Sequence, residues 1–178
     1  MKKSATFQLV LAAMFTALGV LLPLVLHPFG LSGSVFLPMH IPVLLCGFII
    51  GARYGVLVGL IVPFLSSVLT GMPPIWPVAV SMALELAAYG FFAGLLSKRT
   101  NVFAALIGAM LAGRVVMGLA NLILYGIKGN AYTMSAFVSG AFVTALPGII
   151  IQLILIPAVI YWLRRLNAFE GLSQNDKA

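Results

Sequence analysis

The sequence predicts an all-α integral membrane protein, a single bundle of six transmembrane helices with both termini in the cytoplasm. Hydrophobic residues make up 62% of the 178 residues, and charged residues only 7%. The mean hydropathy is +1.17. A soluble domain averages about 25% charged residues, so this chain has too few to cover a water-facing surface. A helix needs about 20 residues to cross the hydrocarbon core, so six spans use the whole chain, and residues 1–178 are expected to form one transmembrane domain.

The apolar segments are continuous rather than alternating, which favours helices, because each segment in lipid must satisfy its own backbone hydrogen bonds. The first span is longer than a secretory signal region and lacks a small-x-small cleavage site, so we expect it to be retained. The turn at Arg53 is expected to separate the short second and third spans. The predicted spans are Ala5–Leu26, Met39–Ala52, Tyr54–Leu69, Pro77–Leu96, Val102–Ile127 and Phe137–Leu163.

The basic residues predict the orientation, because Lys and Arg collect in cytoplasmic loops. Lys128 alone falls on the opposite side, and Arg114 lies within a span. Both termini are therefore expected in the cytoplasm, and topology explains the basic character without a nucleic-acid partner. The residues on the predicted cytoplasmic side are Lys2, Lys3, Arg53, Lys98, Arg99, Arg164, Arg165 and Lys177.

Small residues spaced four apart mark helix faces that approach a neighbour closely. We expect internal packing for the glycines of this kind, which are Gly47, Gly51, Gly55, Gly59, Gly90 and Gly94. Ala13 and Ala17 form a similar face on the first span. That face packs either inside the bundle or against another subunit.

Two ionisable residues lie within the predicted spans, Arg114 about halfway along the fifth and Glu85 in the outer half of the fourth. Charge inside a membrane is costly, so such residues are candidates for a functional site. They either form an ion pair that braces the bundle, or contact a ligand, or do both.

Further polar and aromatic residues are expected to line one cavity with this pair. Asn121 and Tyr125 share a helical face with Arg114, and Tyr89 shares one with Glu85. Gln152 lies at the depth of Arg114. Trp76 and His40 lie at outer helix ends, where they would close the cavity.

Motifs for catalysis or metal binding are missing from the sequence. It has no Walker A loop, no HExxH pair and no Cys/His cluster, and only three acidic residues. We therefore expect neither an enzyme nor a cofactor or metal site.

Four runs resemble the substrate-binding S components of energy-coupling factor (ECF) vitamin transporters. They are LPMHIPVLLCG from Leu37, GARYG from Gly51, LTGMPP from Leu69 and ELAAYG from Glu85. The resemblance extends over nearly the whole chain, including the six spans and the cytoplasmic termini.

The resemblance implies a subunit of a prokaryotic plasma membrane that captures a water-soluble vitamin from outside. Its implied partners are a transmembrane T component and two cytoplasmic ATPases, with membrane lipid around it. A small-residue motif on the first helix of the family contacts the T component, and Ala13 and Ala17 match it. Glu85 and Asn121 stand where several relatives place ligand contacts.

The charged residues leave the vitamin open. The fork of Arg114 suits a carboxylate, which favours pantothenate. Glu85 instead favours an amine-bearing ring such as hydroxymethylpyrimidine or pyridoxine, and mutual neutralisation would suit a neutral ligand.

Two other functions also remain open. One is a self-sufficient secondary transporter of a small metabolite, and the other is a ligand-free membrane assembly subunit.

Overall fold

The computed structural model describes residues 4–26, 33–127 and 129–165, which are helical with no strand among them. This confirms the all-α prediction. Lys2, Lys3, Lys128 and Lys177, which contributed to the predicted orientation, lie outside the described residues. The α-helices are α1 (Ala5–Leu26), α2 (Gly33–Phe36), α3 (His40–Ile49), α4 (Ala52–Thr70), α5 (Val80–Leu96), α6 (Val102–Ile127), α7 (Met134–Val138) and α8 (Leu146–Arg165). Two π-type segments, Ile75–Ala79 and Ser139–Thr144, precede α5 and α8.

Five segments of the described chain are long and apolar enough to cross a membrane. They contain α1, α4, α5 with the segment before it, α6 and α8. The second predicted span, Met39–Ala52, corresponds to α3, which has only 10 residues. Six crossings therefore remain a prediction that depends on this short helix.

The boundary predicted at Arg53 is wrong, because the break lies at Gly51. This residue has a φ of 115° and a ψ of 173°, a conformation that glycine adopts at little cost. Arg53 instead lies in the first turn of α4. Because Gly51 can adopt this conformation, the chain changes direction between α3 and α4 without a longer loop.

The last predicted helix, Phe137–Leu163, is interrupted. The chain forms α7, the π-type segment and a turn at Ala145 before α8 begins at Leu146. Pro147 explains the start of α8, because proline has no N–H to donate and is tolerated in the first turn of a helix. The fourth predicted span, Pro77–Leu96, lies within the apolar segment Ile75–Leu96, in which Trp76 alone is extended (φ −119°, ψ 129°).

Helix α5 lies at the centre of the bundle and packs against α3, α4 and α6. Glycines bring its backbone unusually close to α4. A Cβ atom added at Gly90 would lie 2.3 Å from the carbonyl oxygen of Gly55, and one added at Gly59 would lie 2.5 Å from the carbonyl carbon of Leu86. The predicted internal packing is therefore confirmed for these glycines, whereas Gly51 forms a turn with open space around its Cα.

Helix α1 packs against α3 and α4 with the face that carries Ala12, Gly19 and Val20, all of which are buried. Ala13 and Ala17 are exposed on the surface of α1. Of the two interpretations of this small-residue face, internal packing is excluded, and the face is available to lipid or to another subunit.

Gly90→Ala is expected to destabilise the bundle, because the new methyl group would overlap the backbone of Gly55 and force α4 and α5 apart. Overpacking of this kind costs about 1–3 kcal/mol. Gly126→Ala is the matched control, since its added Cβ meets no neighbouring helix among the described residues within 4 Å. The measurement is the thermal unfolding of both purified variants in the same detergent. Equal stability of the two variants would contradict the close approach of α4 and α5.

Candidate functional site

A buried ion pair joins the two central helices. Arg114 on α6 donates from Nη1 to Oε1 of Glu85 on α5 over 2.7 Å. The two residues are 4% and 3% exposed, respectively. An isolated charge would be costly at this position, so the pairing explains how both residues are tolerated among apolar helices. The bracing role predicted for this pair is therefore seen directly.

His40 and Tyr89 complete the surroundings of the pair. Nε2 of His40 lies 3.5 Å from the same Oε1 of Glu85, and the His40 ring meets the Tyr89 ring edge-on at a centroid distance of 5.2 Å. His40 is the first residue of α3 and is only 1% exposed. His40 therefore lies in the buried cluster beside Glu85, and its predicted role in closing the cavity stays a prediction.

Arg114 uses only part of its hydrogen-bonding capacity. Nη1 donates to Glu85 and also lies 3.7 Å from the sulfur of Met117. Nε and Nη2 are buried and have no hydrogen-bond partner among the described residues. Their N–H bonds point in parallel from one edge of the guanidinium, so they form a fork that matches two adjacent acceptor atoms such as those of a carboxylate.

Other buried polar atoms are also unpaired within the described residues. They are both ring nitrogens of His40, the hydroxyls of Ser81 and Tyr89, and both amide atoms of Gln152. An unsatisfied buried donor or acceptor costs about 1–3 kcal/mol, and several in one protein call for an explanation such as a bound polar ligand. The unsatisfied donors and acceptors therefore lie either close to the ion pair or on helices that pack against the helices of the pair.

Ser81 was missed by the sequence reasoning. It is 4% exposed and lies one helical turn before Glu85 on α5, so Ser81, Glu85 and Tyr89 share one face of that helix. The available signal was the recurrence of polar residues every four positions in an otherwise apolar span. Serine is common in membrane helices, where it often packs without a site role, and this made the signal weak.

Asn121 and Tyr125 form a second group rather than joining the ion pair. Nδ2 of Asn121 donates to the hydroxyl of Tyr132 over 3.3 Å, and the rings of Tyr125 and Tyr132 stack at 5.5 Å and 25°. Asn121 follows Arg114 by two turns, or about 10 Å along the helix. The single polar stripe predicted on α6 is thus divided, and Tyr132 was missed because it lies in a loop without periodicity.

The loop between α4 and α5 is held in place by hydroxyl groups at the end of α4. Oγ of Ser66 donates to the carbonyl of Met72 over 2.8 Å, and Oγ of Ser67 donates to the carbonyl of Pro73. These bonds position the segment that leads to Trp76. Trp76 is 43% exposed, so its predicted role in closing the site stays a prediction.

The donor set around the ion pair suits an organic ligand better than a metal ion. In residues 4–26, 33–127 and 129–165, no three His, Cys, Asp or Glu side chains are grouped closely enough to hold a metal. The unpaired atoms include the N–H donors of Arg114 and Gln152, the Gln152 oxygen as an acceptor, and two hydroxyl groups that can donate or accept. Such a set can bind a small molecule that carries several acceptors and at least one donor.

Comparison with known proteins gives one family. The family model described as "ECF transporter, substrate-specific component" matches residues 7–160, from the first turn of α1 into the last turns of α8. This match confirms the family resemblance inferred from the sequence. No curated protein and no solved structure matched the chain.

Breaking the ion pair from one side is expected to destabilise the protein more than removing it altogether. Glu85→Leu or Arg114→Met alone would leave a buried charge without its partner, at a cost of about 3–5 kcal/mol. The double variant should recover much of this loss, because it leaves neither charge. The measurement is a double-mutant cycle on thermal stability in detergent. Additive effects of the two substitutions would contradict the pairing.

Proposed function

Because the chain belongs to the family of substrate-specific components of ECF transporters, we propose that it binds a water-soluble vitamin from outside the cell and delivers it to its transport partners. The family implies a small-molecule substrate, a T component and an ATPase module. The five long apolar helices agree with a multi-pass membrane protein. In this proposal the membrane is the plasma membrane of a prokaryote, and both termini are cytoplasmic.

The observation that carries the choice of substrate is the free fork of Arg114. The charge of Arg114 is balanced by Glu85, yet Nε and Nη2 are buried without a partner among the described residues. A ligand carboxylate would accept both N–H bonds while Nη1 keeps its bond to Glu85. Such bidentate pairs are short and strong. This supports pantothenate, a carboxylate vitamin, as the substrate.

Hydroxymethylpyrimidine or pyridoxine is the second candidate. Arg114 and His40 approach the same oxygen of Glu85, Oε1, so Oε2 retains acceptor capacity for an amine or hydroxyl of a ring. However, the Arg114 side chain already neutralises the Glu85 carboxylate. The pairing weakens the attraction of both charges for a ligand, so the unpaired Nε and Nη2 of Arg114 decide the choice and make pantothenate the better-supported substrate.

The chain itself is proposed to be non-catalytic, with ATP hydrolysis performed by the partner ATPases. The exposed Ala13 and Ala17 face of α1 is proposed to contact the T component, because small side chains let another helix approach closely. The surface of α1 around them carries large apolar side chains such as Leu9, Val10 and Leu18. An apolar helix of the partner would fit this surface.

Arg114→Lys is expected to weaken pantothenate binding by about tenfold or more, because lysine keeps the charge and loses the fork. Pantothenol, which has a hydroxyl in place of the carboxylate, should bind the wild type weakly and lose little on the substitution. Isothermal titration of the purified protein measures both ligands. Arg164→Lys, at an exposed position near the end of α8, is the control. Equal affinity for pantothenate and pantothenol would reject carboxylate recognition, and with it pantothenate as the substrate inferred from the fork.

Ala13→Leu combined with Ala17→Leu is expected to abolish vitamin uptake by cells that contain the whole transporter while leaving ligand affinity unchanged, because both residues are exposed. Ala158→Leu, at an exposed position on α8, is the control. Uptake of labelled vitamin and titration of the purified variant are the two measurements. Undiminished uptake would remove this face from the partner contact. Uptake that persists without any ECF ATPase would instead indicate a secondary transporter.

A further inference from the structure

We propose that Gln152 recognises an amide group of the substrate, so that the site selects small anions in which a carboxylate and an amide occur in one molecule. This inference rests on the proposed function, because it assumes that the buried cluster is the substrate site. It adds to that function a second recognition element, on a different helix from Arg114, and a chemical class of substrate.

Gln152 points into the bundle. Ile149, Leu153 and Ile156 on the same helix pack in the hydrophobic core, and Gln152 lies between them in the chain with an exposure of 0%. A glutamine on the lipid-facing side of α8 would be exposed, as Ile154 is at 67%. The amide therefore faces the interior, where neither lipid headgroups nor bulk water can satisfy it.

The packing of α8 against α3 supports placing Gln152 at a level of the bundle similar to that of His40. A Cβ atom added at Gly148 would lie 2.9 Å from Cγ of Leu37, so α8 touches the segment before α3 at this level. Gln152 lies one helical turn after Gly148 on α8, and His40 lies three residues after Leu37, at the start of α3. Ile156 then packs in the same core as residues of α3, so the two helices continue together from this contact.

Both polar atoms of the Gln152 side chain are buried, and neither has a partner among the described residues. One is a donor group and the other is an acceptor, whichever way the amide is assigned. A ligand carboxylate would satisfy only the donor. An amide-bearing ligand supplies an N–H that would donate to Oε1 of Gln152, and a neighbouring oxygen of the same ligand would accept from Nε2.

The carboxylate fork of Arg114 and the amide of Gln152 together define the substrate class as N-acyl amino acids and related amide-bearing acids. Pantothenate belongs to this class, since its carboxylate is part of an acylated β-alanine. A small acid without N–H or O–H groups would leave Oε1 of Gln152 without a donor, and a neutral amide would leave the fork unsatisfied. Sites built to hydrogen-bond a group reject analogues that lack it far more strongly than apolar pockets do.

The test compares pantothenate with its ester analogue, in which an oxygen replaces the amide N–H. Both ligands are titrated into the purified full chain, as wild type, Gln152→Met and Leu153→Met. Methionine matches glutamine in length and suits an apolar core, so Gln152→Met should fold. Leu153→Met controls for repacking of the same helix turn.

The wild type and Leu153→Met are expected to prefer the amide over the ester by about tenfold, and Gln152→Met should bind the two ligands almost equally. An unchanged preference in Gln152→Met would overturn the assignment while leaving the proposed function intact.

If the wild type binds neither ligand, pantothenate is the wrong vitamin, and mass spectrometry of small molecules retained by the purified protein decides the inference. A retained molecule with an amide-type N–H and C=O pair that Gln152→Met fails to retain supports it. A retained molecule without such a pair, or none, overturns it.

Discussion

The bundle is organised around the requirement that polar groups buried among lipid-facing helices find partners. The Arg114 and Glu85 side chains meet this requirement for each other across 2.7 Å, which fixes α5 against α6. Nε2 of His40 on α3 lies 3.5 Å from the same carboxylate. Three helices therefore meet around the Glu85 side chain, and the apolar packing surrounds it. Since the pair uses one nitrogen of Arg114, charge neutrality is achieved without exhausting the donors, and a neutral pair can still bind an anion.

Close packing of small residues makes this arrangement possible. Gly90 on α5 contacts the backbone of Gly55 on α4, and Gly113 on α6 allows the Tyr89 ring to lie against its helix, since a Cβ there would come within 2.0 Å of that ring. In a membrane, helices associate largely through such van der Waals contact and interhelical hydrogen bonds. The short distances between backbones bring side chains of moderate length, such as Glu85, within reach of a neighbouring helix.

The sequence was sufficient for features that depend on local pattern. The bounds of α1 and α6 follow from apolar continuity, and a buried arginine and glutamate in separate spans made their pairing a reasonable expectation. Features that depend on neighbouring helices were harder to predict from the sequence. Periodicity places Arg114 and Asn121 on one face of α6, but only the fold shows that Asn121 bonds to Tyr132. The burial of Ser81, likewise, depends on what packs against it.

The central claim is that Arg114 keeps its bond to Glu85 while its free fork binds a carboxylate of the substrate. Nitrogen-15 NMR of protein labelled only at arginine tests this directly, with the Arg114 Nε–H signal identified by its loss in Arg114→Lys. Pantothenate is expected to move this signal strongly downfield, pantothenol is not, and the other arginine signals should stay in place. An Arg114 signal that saturating pantothenate leaves unmoved would mean that the fork does not bind the carboxylate.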